Sequence, residues 1–378
     1  MKNLKILNIS NAFMGTKVHR NLAIALDQKG VQQTIFTVIR KYKRPNHDNL
    51  VDFSNKKSKI AFSRTLKIYH RVFFRLKINQ LYKDLKEQTD ISSVNLVHAT
   101  TLYTDGAVAY RIFKEYGIPY VITVRSADLD FFMKYRPDLL RLGMDILTHA
   151  KDVVFVSPSL KKRFLNHRYI KNSKERFLNK VVLINNGIDD FWIDNFFISE
   201  GHKEINNLSL LYVGRLVKRK NLLMLIDAIK ILRKQFTGLT LHIVGSGGLY
   251  ENEVQAKVRS NADFVTIQSV IKDRGELMQV YRKHDAFVMP SFYETFGLVY
   301  LEALSQGLPV LFAKDDGIDG IFPDHSVGES ADPKDLDSVV TSLRTLVENI
   351  NLYKIGDINF EKFRWRNVAD RLMAVYIN

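Results

Sequence analysis

The stretch Asp285-Ala-Phe-Val-Met-Pro-Ser-Phe-Tyr-Glu294-Thr-Phe-Gly297-Leu-Val-Tyr-Leu-Glu302-Ala-Leu-Ser-Gln-Gly307-Leu-Pro309 changes its periodicity once, and that change decides the fold class. Residues 286 to 289 form a short apolar run that Pro290 ends. After a polar loop, Leu298, Leu301, Ala303 and Leu304 follow helical spacing until Gly307 and Pro309 stop it. The order is strand, loop, helix. In a parallel sheet such a loop lies beyond the carboxyl end of its strand, where the N–H groups of Thr295 to Leu298 and the positive helix terminus favour an anion. Glu294 lies on the loop and Glu302 eight residues later, about two helical turns on. Carboxylates on both sides of a phosphate-ready terminus suit a ligand with hydroxyls on both sides of a phosphate, as in a nucleotide sugar.

Outward from this stretch, the chain alternates strands and helices. Residues 4 to 9, 33 to 39, 95 to 99, 120 to 124, 152 to 156 and 181 to 184 read as strands of a first domain. Residues 208 to 213, 239 to 244 and 264 to 267 read as strands of a second, with helices at 222 to 234, 251 to 259 and 276 to 284. Consecutive strands with intervening helices require parallel sheets and right-handed crossovers. The polar stretch 190 to 207 reads as a linker, and 360 to 376, containing Trp365, as a last amphipathic helix. With 378 residues and 46% hydrophobic content, two domains with ample cores are expected.

The chain has no cysteine, which excludes disulfides and thiolate metal sites and fits a reducing compartment. No apolar run approaches ~18 residues, so no membrane span is expected, and the run in residues 1 to 9 is too short for a secretory signal. The formal charge of +16 calls for anionic partners. Much of it is local: between Arg40 and Lys86 there are fourteen basic residues against Asp48, Asp52 and Asp84. Residues 57 to 86 carry helical periodicity through Phe62, Leu66, Tyr69, Phe73, Leu76, Leu81 and Leu85. Two readings stay open, a core-packed helix with a solvated basic back or a helix lying on an anionic membrane. No stacking platform for single strands is evident, so nucleic acid is not an expected partner.

The spacing from Glu294 to Glu302 resembles the Glu-x7-Glu signature of the retaining glycosyltransferases of GT-B architecture, family 4 in particular. Three further segments follow that family's pattern in order: Asn186-Gly-Ile-Asp189, Tyr212-Val-Gly-Arg215-Leu-Val-Lys-Arg-Lys220-Asn and Leu241-His-Ile-Val-Gly245-Ser-Gly247. The resemblance implies two facing Rossmann-like domains, residues 1–190 and 191–357, with a crossover helix at 358–378 returning to the first. It further implies transfer of a sugar from a nucleotide donor, UDP being the commonest, to an envelope polysaccharide or lipid-linked glycan. The setting it implies is cytoplasmic, with peripheral attachment to the inner face of the membrane, and no metal or cofactor is expected.

The resemblance also assigns roles. Arg215 and Lys220 would neutralise the departing diphosphate, helped by Gly214. Glu294 would hold the sugar hydroxyls, Glu302 the ribose, and the backbone of Thr295, Phe296, Gly297 and Leu298 the phosphates, with Val270 near the base. Lys218 and Arg219 match no role and are read as solvent-facing. In the first domain, Gly15 stands where the family has two adjacent glycines near the donor phosphate, and otherwise belongs to an ordinary turn. Arg125-Ser-Ala-Asp128 stands where many relatives carry His, Gly and Asp. Arginine cannot take a proton at neutral pH, which leaves Arg125 to bind an anion, orient a backbone or form a salt bridge with Asp128. His98 ends a strand and is either an acceptor-side group or a satisfied structural histidine. Two other classes remain open: a nucleotide-sugar epimerase or phosphorylase on the same fold, and a non-catalytic binder of membrane or polyanion.

Overall fold

The computed structural model describes residues 4–39, 50–199 and 201–378. In the first unit, β1 (Lys5–Ile9) turns into α1 (Lys17–Gln28) and returns as β2 (Gln32–Thr37), with β3 (Lys59–Phe62) beyond it. There follow α2 (Phe74–Gln88), β4 (Leu96–Ala99), α3 (Thr104–Tyr116), β5 (Tyr120–Val124), α4 (Leu140–His149), β6 (Asp152–Phe155), α5 (Pro158–Leu165) and β7 (Val181–Leu183). The strands lie in the order β3-β2-β1-β4-β5-β6-β7, all parallel. β4 and β5 are buried along their whole length, as strands covered on both faces must be, and they are mostly apolar, with His98 and Thr123 as the polar exceptions.

The second unit contains α6 (Asp190–Asp194), β8 (Ser209–Val213), α7 (Leu222–Leu232), β9 (Thr240–Val244), α8 (Glu251–Arg259), β10 (Val265–Gln268), α9 (Arg274–Arg282), β11 (Ala286–Val288), α10 (Leu298–Ser305), β12 (Val310–Ala313), β13 (Gly328–Ala331) and α11 (Leu336–Glu348). Its sheet runs β10-β9-β8-β11-β12-β13, again all parallel. In each sheet the order reverses beside the first strand, between β1 and β4 and between β8 and β11. Chains leaving such neighbours diverge, which opens a crevice at their carboxyl ends.

The last helix, α12 (Trp365–Ile377), belongs to the first unit. Trp365, Val368, Leu372 and Tyr376 pack with Ile6, Leu26, Val121 and Val154 in one core. Lys151 Nζ donates to the carbonyls of Val375 and Tyr376, both at 2.9 Å, so a cation satisfies the helix's C-terminal oxygens. The units divide at Gly187/Ile188 and Lys362/Phe363, a few residues from the boundaries expected at 190/191 and 357/358, and residues 157–160 sort with the second.

Residues 57 to 86 are not one helix. Four residues form β3 on the open edge of β2, residues 68–71 a 3-10 turn, and only then does α2 begin. Unpaired backbone groups along β2 outweigh the helical periodicity, because an added strand satisfies a whole row of them. The Gln88 side chain closes the new edge, accepting from the Phe62 N–H at 3.2 Å and donating to its carbonyl at 2.6 Å. Asp84, fully buried, takes the Arg64 side chain at 2.6 Å and its N–H at 2.9 Å. Arg40, Lys41, Lys43, Arg44 and Asp48 lie outside the described residues.

Candidate active site

In the second unit the two loops at the switch point meet. The loop after β8 closes through a 3-10 turn at Lys218–Lys220 and a left-handed Asn221, φ 57°, whose Nδ2 donates to the Pro333 carbonyl at 2.8 Å. Asparagine tolerates that conformation better than most residues. The turn buries Lys220 to 9% exposure. Its ammonium lies 2.6 Å from Glu294 Oε2, and Arg219 Nη1 lies 3.4 Å from the same oxygen. The Phe292 N–H donates to the Arg219 carbonyl at 2.6 Å, so the backbones are tied as well. Burial pulls the Lys220 ammonium below its ordinary pKa, while Glu294 opposes the fall.

Glu294 is fixed from a third loop, the one following β12. Asp316 Oδ2 accepts the Glu294 N–H at 3.0 Å, and the Gly317 N–H reaches the Glu294 carbonyl at 3.1 Å. Ser157 Oγ donates to the Thr295 carbonyl at 3.2 Å, and Ser159 Oγ to that of Gly317 at 3.0 Å. α10 then starts from Gly297, left-handed at φ 78°, and carries Glu302, which receives the Tyr281 hydroxyl at 3.5 Å. A carboxylate held by an ammonium, a second carboxylate further along the helix, and a helix terminus between them can meet a hydroxylated, doubly charged anion at several points.

Of the residues expected from sequence, Lys220 and Glu294 are in contact, and Thr295, Phe296, Gly297, Leu298 and Glu302 share one loop and helix. Gly214 and Arg215 lead out of β8; the Arg215 side chain is exposed and makes no ion pair among the described residues. Val270 is exposed on the loop after β10, two strands from the switch point. Arg219 is not purely solvent-facing, since it shares Glu294 with Lys220. Asp316, Ser157, Ser159 and Tyr281 escaped the sequence reading. Only Asp316-Gly317 left a local trace there, as a turn dipeptide after an apolar run.

The first-unit candidates are held in their own ways. Gly15 is exposed at the end of a 3-10 turn after β1. His98 has both ring nitrogens engaged, Nε2 with Thr123 Oγ1 at 2.8 Å and Nδ1 with the Tyr376 hydroxyl at 2.7 Å. Burial, aided by the charge of Arg125, pushes its pKa down to about 3, so the imidazole is neutral. Asp128 accepts the N–H groups of Leu102 at 3.1 Å, Tyr103 at 3.3 Å and Arg125 at 2.9 Å, which fastens the loop after β4 to the loop after β5. Burial raises its pKa to about 7 against those three bonds. The salt bridge considered between Arg125 and Asp128 does not form: the contact is to the arginine backbone, and the guanidinium goes to Asn186 at 3.4 Å.

The family model for Glycosyltransferase Family 4 matches residues 16–190, and that for Glycosyl transferases group 1 matches residues 194–357. An uncharacterized glycosyltransferase of Methanocaldococcus jannaschii is 25% identical over 309 residues, 78% of each chain. The capsular polysaccharide biosynthesis glycosyltransferase CapM of Staphylococcus aureus is 26% identical over 245 residues, 61% of this chain and 62% of its own. Among solved structures, sucrose-phosphate synthase from Thermosynechococcus elongatus superposes with a TM-score of 0.76 at 20% identity, over 99% of this chain and 98% of that one. An Anabaena protein, HepE, in complex with UDP-glucose superposes with a TM-score of 0.63 at 17% identity, over 99% and 95%. Those structural likenesses carry the fold, and the two family matches, covering nearly the whole chain between them, carry the membership: the chain is a group 1 glycosyltransferase of family 4 with the GT-B fold.

Proposed function

We propose that this glycosyltransferase moves a hexose from a nucleoside diphosphate, with uridine as the base, to a hydroxyl of an envelope polysaccharide or lipid-linked glycan, and that the anomeric configuration is retained. The observation that carries the reading is the Lys220–Glu294 pair at 2.6 Å, made by loops from the two strands that flank the switch point. On this reading Lys220 and Arg215 meet the diphosphate, Glu294 the sugar hydroxyls and Glu302 the ribose, with the backbone from Thr295 to Leu298 along the phosphates. The acceptor oxygen bonds to the anomeric carbon as the bond to the β-phosphate oxygen breaks. The electron pair leaves on that oxygen, which takes the acceptor's proton, and the two cations spread the charge. Glu294, paired with Lys220, is a poor candidate for a nucleophile, so the two-carboxylate glycosidase scheme is set aside. With fixed cations assigned to the diphosphate, no metal or cofactor is assigned. UDP-glucose on the Anabaena protein and the capsular role in the Staphylococcus relative's name support the donor and acceptor classes.

A calorimetric screen of UDP, GDP and ADP, followed by turnover of the matching sugar donor, tests this. UDP should bind tightest, and donor should be consumed only when an acceptor is supplied. Isomerised donor without acceptor would replace the reading with an epimerase, and turnover driven by inorganic phosphate would replace it with a phosphorylase.

The same reading brings the enzyme to an anionic membrane face, where a lipid-linked acceptor is found. Ile68, Val72, Phe73 and Leu76 are exposed between 52% and 72%, and Phe131 and Tyr135 are exposed as well. Arg136 Nη1, donating to the Val72 carbonyl at 3.4 Å, brings those two segments side by side. Exposed Lys67, Arg71, Arg75 and Lys134 stand among them. Each base near anionic lipid contributes about 1 kcal/mol and each buried apolar side chain about 2 kcal/mol. The surface is thus discontinuous in sequence, unlike the single helix expected. Binding to anionic liposomes should fall steeply with salt and weaken in Val72→Ser with Phe73→Ser, whereas salt-insensitive or absent binding rejects the attachment. Among the described residues no helix is long and apolar enough to cross a membrane.

A further inference from the structure

Arg125 is the first residue after β5, at the carboxyl edge of the first unit's sheet, where the Asn11 and Thr100 loops from β1 and β4 also end. Among the described residues its buried Nε has no hydrogen-bond partner, and its one guanidinium bond is the long one to Asn186 at 3.4 Å. The carboxylates that act on it electrostatically are committed elsewhere. Asp128 holds three backbone N–H groups, and Asp105 takes the N–H and Nδ2 of Asn11 at 3.1 Å each and Thr100 Oγ1 at 2.9 Å. A desolvated cationic donor without an acceptor is costly, so a purely structural arginine is seldom left this way.

Among the described residues, no second cation is among the causes that shift the Arg125 guanidinium. Arg125 is close enough to act on both His19 and His98, and burial, the larger cause, holds both imidazoles neutral. The same burial brings Arg125 down to about 10, which leaves it fully charged at neutral pH. His19 and His98 line a small cavity with Asn8, Ser10 and Thr100, and Arg125 is not part of that lining. Arg125 itself keeps partial access to solvent.

We propose that Arg125 is an anion subsite of the first unit, taking a phosphate or carboxylate carried by the acceptor, with its unpartnered Nε–H and one terminal amino group as the donors. The planar fork matches either oxyanion in a two-point contact. The inference rests on the transferase reading for calling that ligand an acceptor; the subsite itself stands on the first unit alone.

The test follows the Nε–H resonance of Arg125, assigned by its absence in Arg125→Lys, in the full-length protein titrated with methyl phosphate and, separately, with glucuronate. A saturable shift with methyl phosphate assigns a phosphoester-bearing acceptor, and one with glucuronate assigns an acidic sugar. Arg125→Gln should weaken the binding by about tenfold or more, since a hydrogen bond to a charged group is lost. Arg125→Lys, keeping the charge but not the fork, should recover only part. The thermal unfolding midpoint of each variant serves as the check on folding and should match the wild type. If neither anion moves the signal, or if binding survives Arg125→Gln unchanged, the subsite is refuted. Failure of the wild type to bind any nucleoside diphosphate would instead refute the transferase reading and leave this result intact.

Discussion

A Lys220→Ala variant is expected to lose about a hundredfold or more in kcat, with a smaller change in the affinity for UDP. On the proposed reading the ammonium stabilises charge that grows on the leaving diphosphate, and removing one such preorganised donor costs about 3 kcal/mol in the transition state. The variant also leaves Glu294, whose side chain is 15% exposed, without its partner at 2.6 Å. Breaking one side of a mostly buried pair destabilises by about 3 kcal/mol, because the remaining charge stays desolvated. Arg219, at 3.4 Å and half exposed, can take over only part of that charge. The two effects are separable. Lys220→Met combined with Glu294→Gln removes both charges and should regain most of the unfolding midpoint, whereas transfer should remain as low as in either single variant. A Lys220→Ala enzyme turning over within about threefold of the wild type would remove the ammonium from the reaction.

The residues that sequence could find are those whose neighbours along the chain already announce their geometry. Glu294 and Glu302 share one loop and helix, and Lys220 follows β8 and the Gly214 just beyond it, so spacing alone carried them. Their contact could not be read off, because it depends on β8 and β11 being neighbours, and strand order is a property of the whole sheet. Arg219 shows the cost. As one base among three it had no distinguishing mark, yet the turn that buries Lys220 also swings Arg219 toward Glu294. Asp316 and Ser157 are less legible still, since each acts on the backbone of Glu294 or Thr295 from more than twenty residues away. The segment 57 to 86 failed for a different reason. Its apolar spacing is genuinely helical only in α2, and the competing demand came from the free edge of β2, which no local pattern records. Beyond Pro309, the loop that follows β12 brings Asp316 behind Glu294, and that placement too depends on strand order in the sheet.

Gly297→Ala is expected to weaken UDP binding by about tenfold or more and to destabilise the second unit by about 3 kcal/mol. Gly297 has φ 78°, which strains a residue with a Cβ, and an added Cβ would stand 2.5 Å from two atoms of the Tyr300 ring and 3.1 Å from Glu294 Cγ. The ring has nowhere to retreat: Tyr300 is 1% exposed, packs edge-on against Phe287 and donates its hydroxyl to the Met289 carbonyl at 2.5 Å. The first turn of α10 must therefore move, and with it the backbone N–H groups from Thr295 to Leu298 and the carboxylate of Glu294. Gly30→Ala supplies the comparison, since Gly30 has the same φ of 78° with nothing within 4 Å of an added Cβ. That variant should show only the backbone cost, about 1 kcal/mol, with nucleotide affinity intact. Calorimetry with UDP and urea unfolding on both proteins distinguish the two. Equal UDP affinity in Gly297→Ala and Gly30→Ala would mean that the loop before α10 does not grip the nucleotide, and the donor site would have to be sought on another edge of the second unit's sheet.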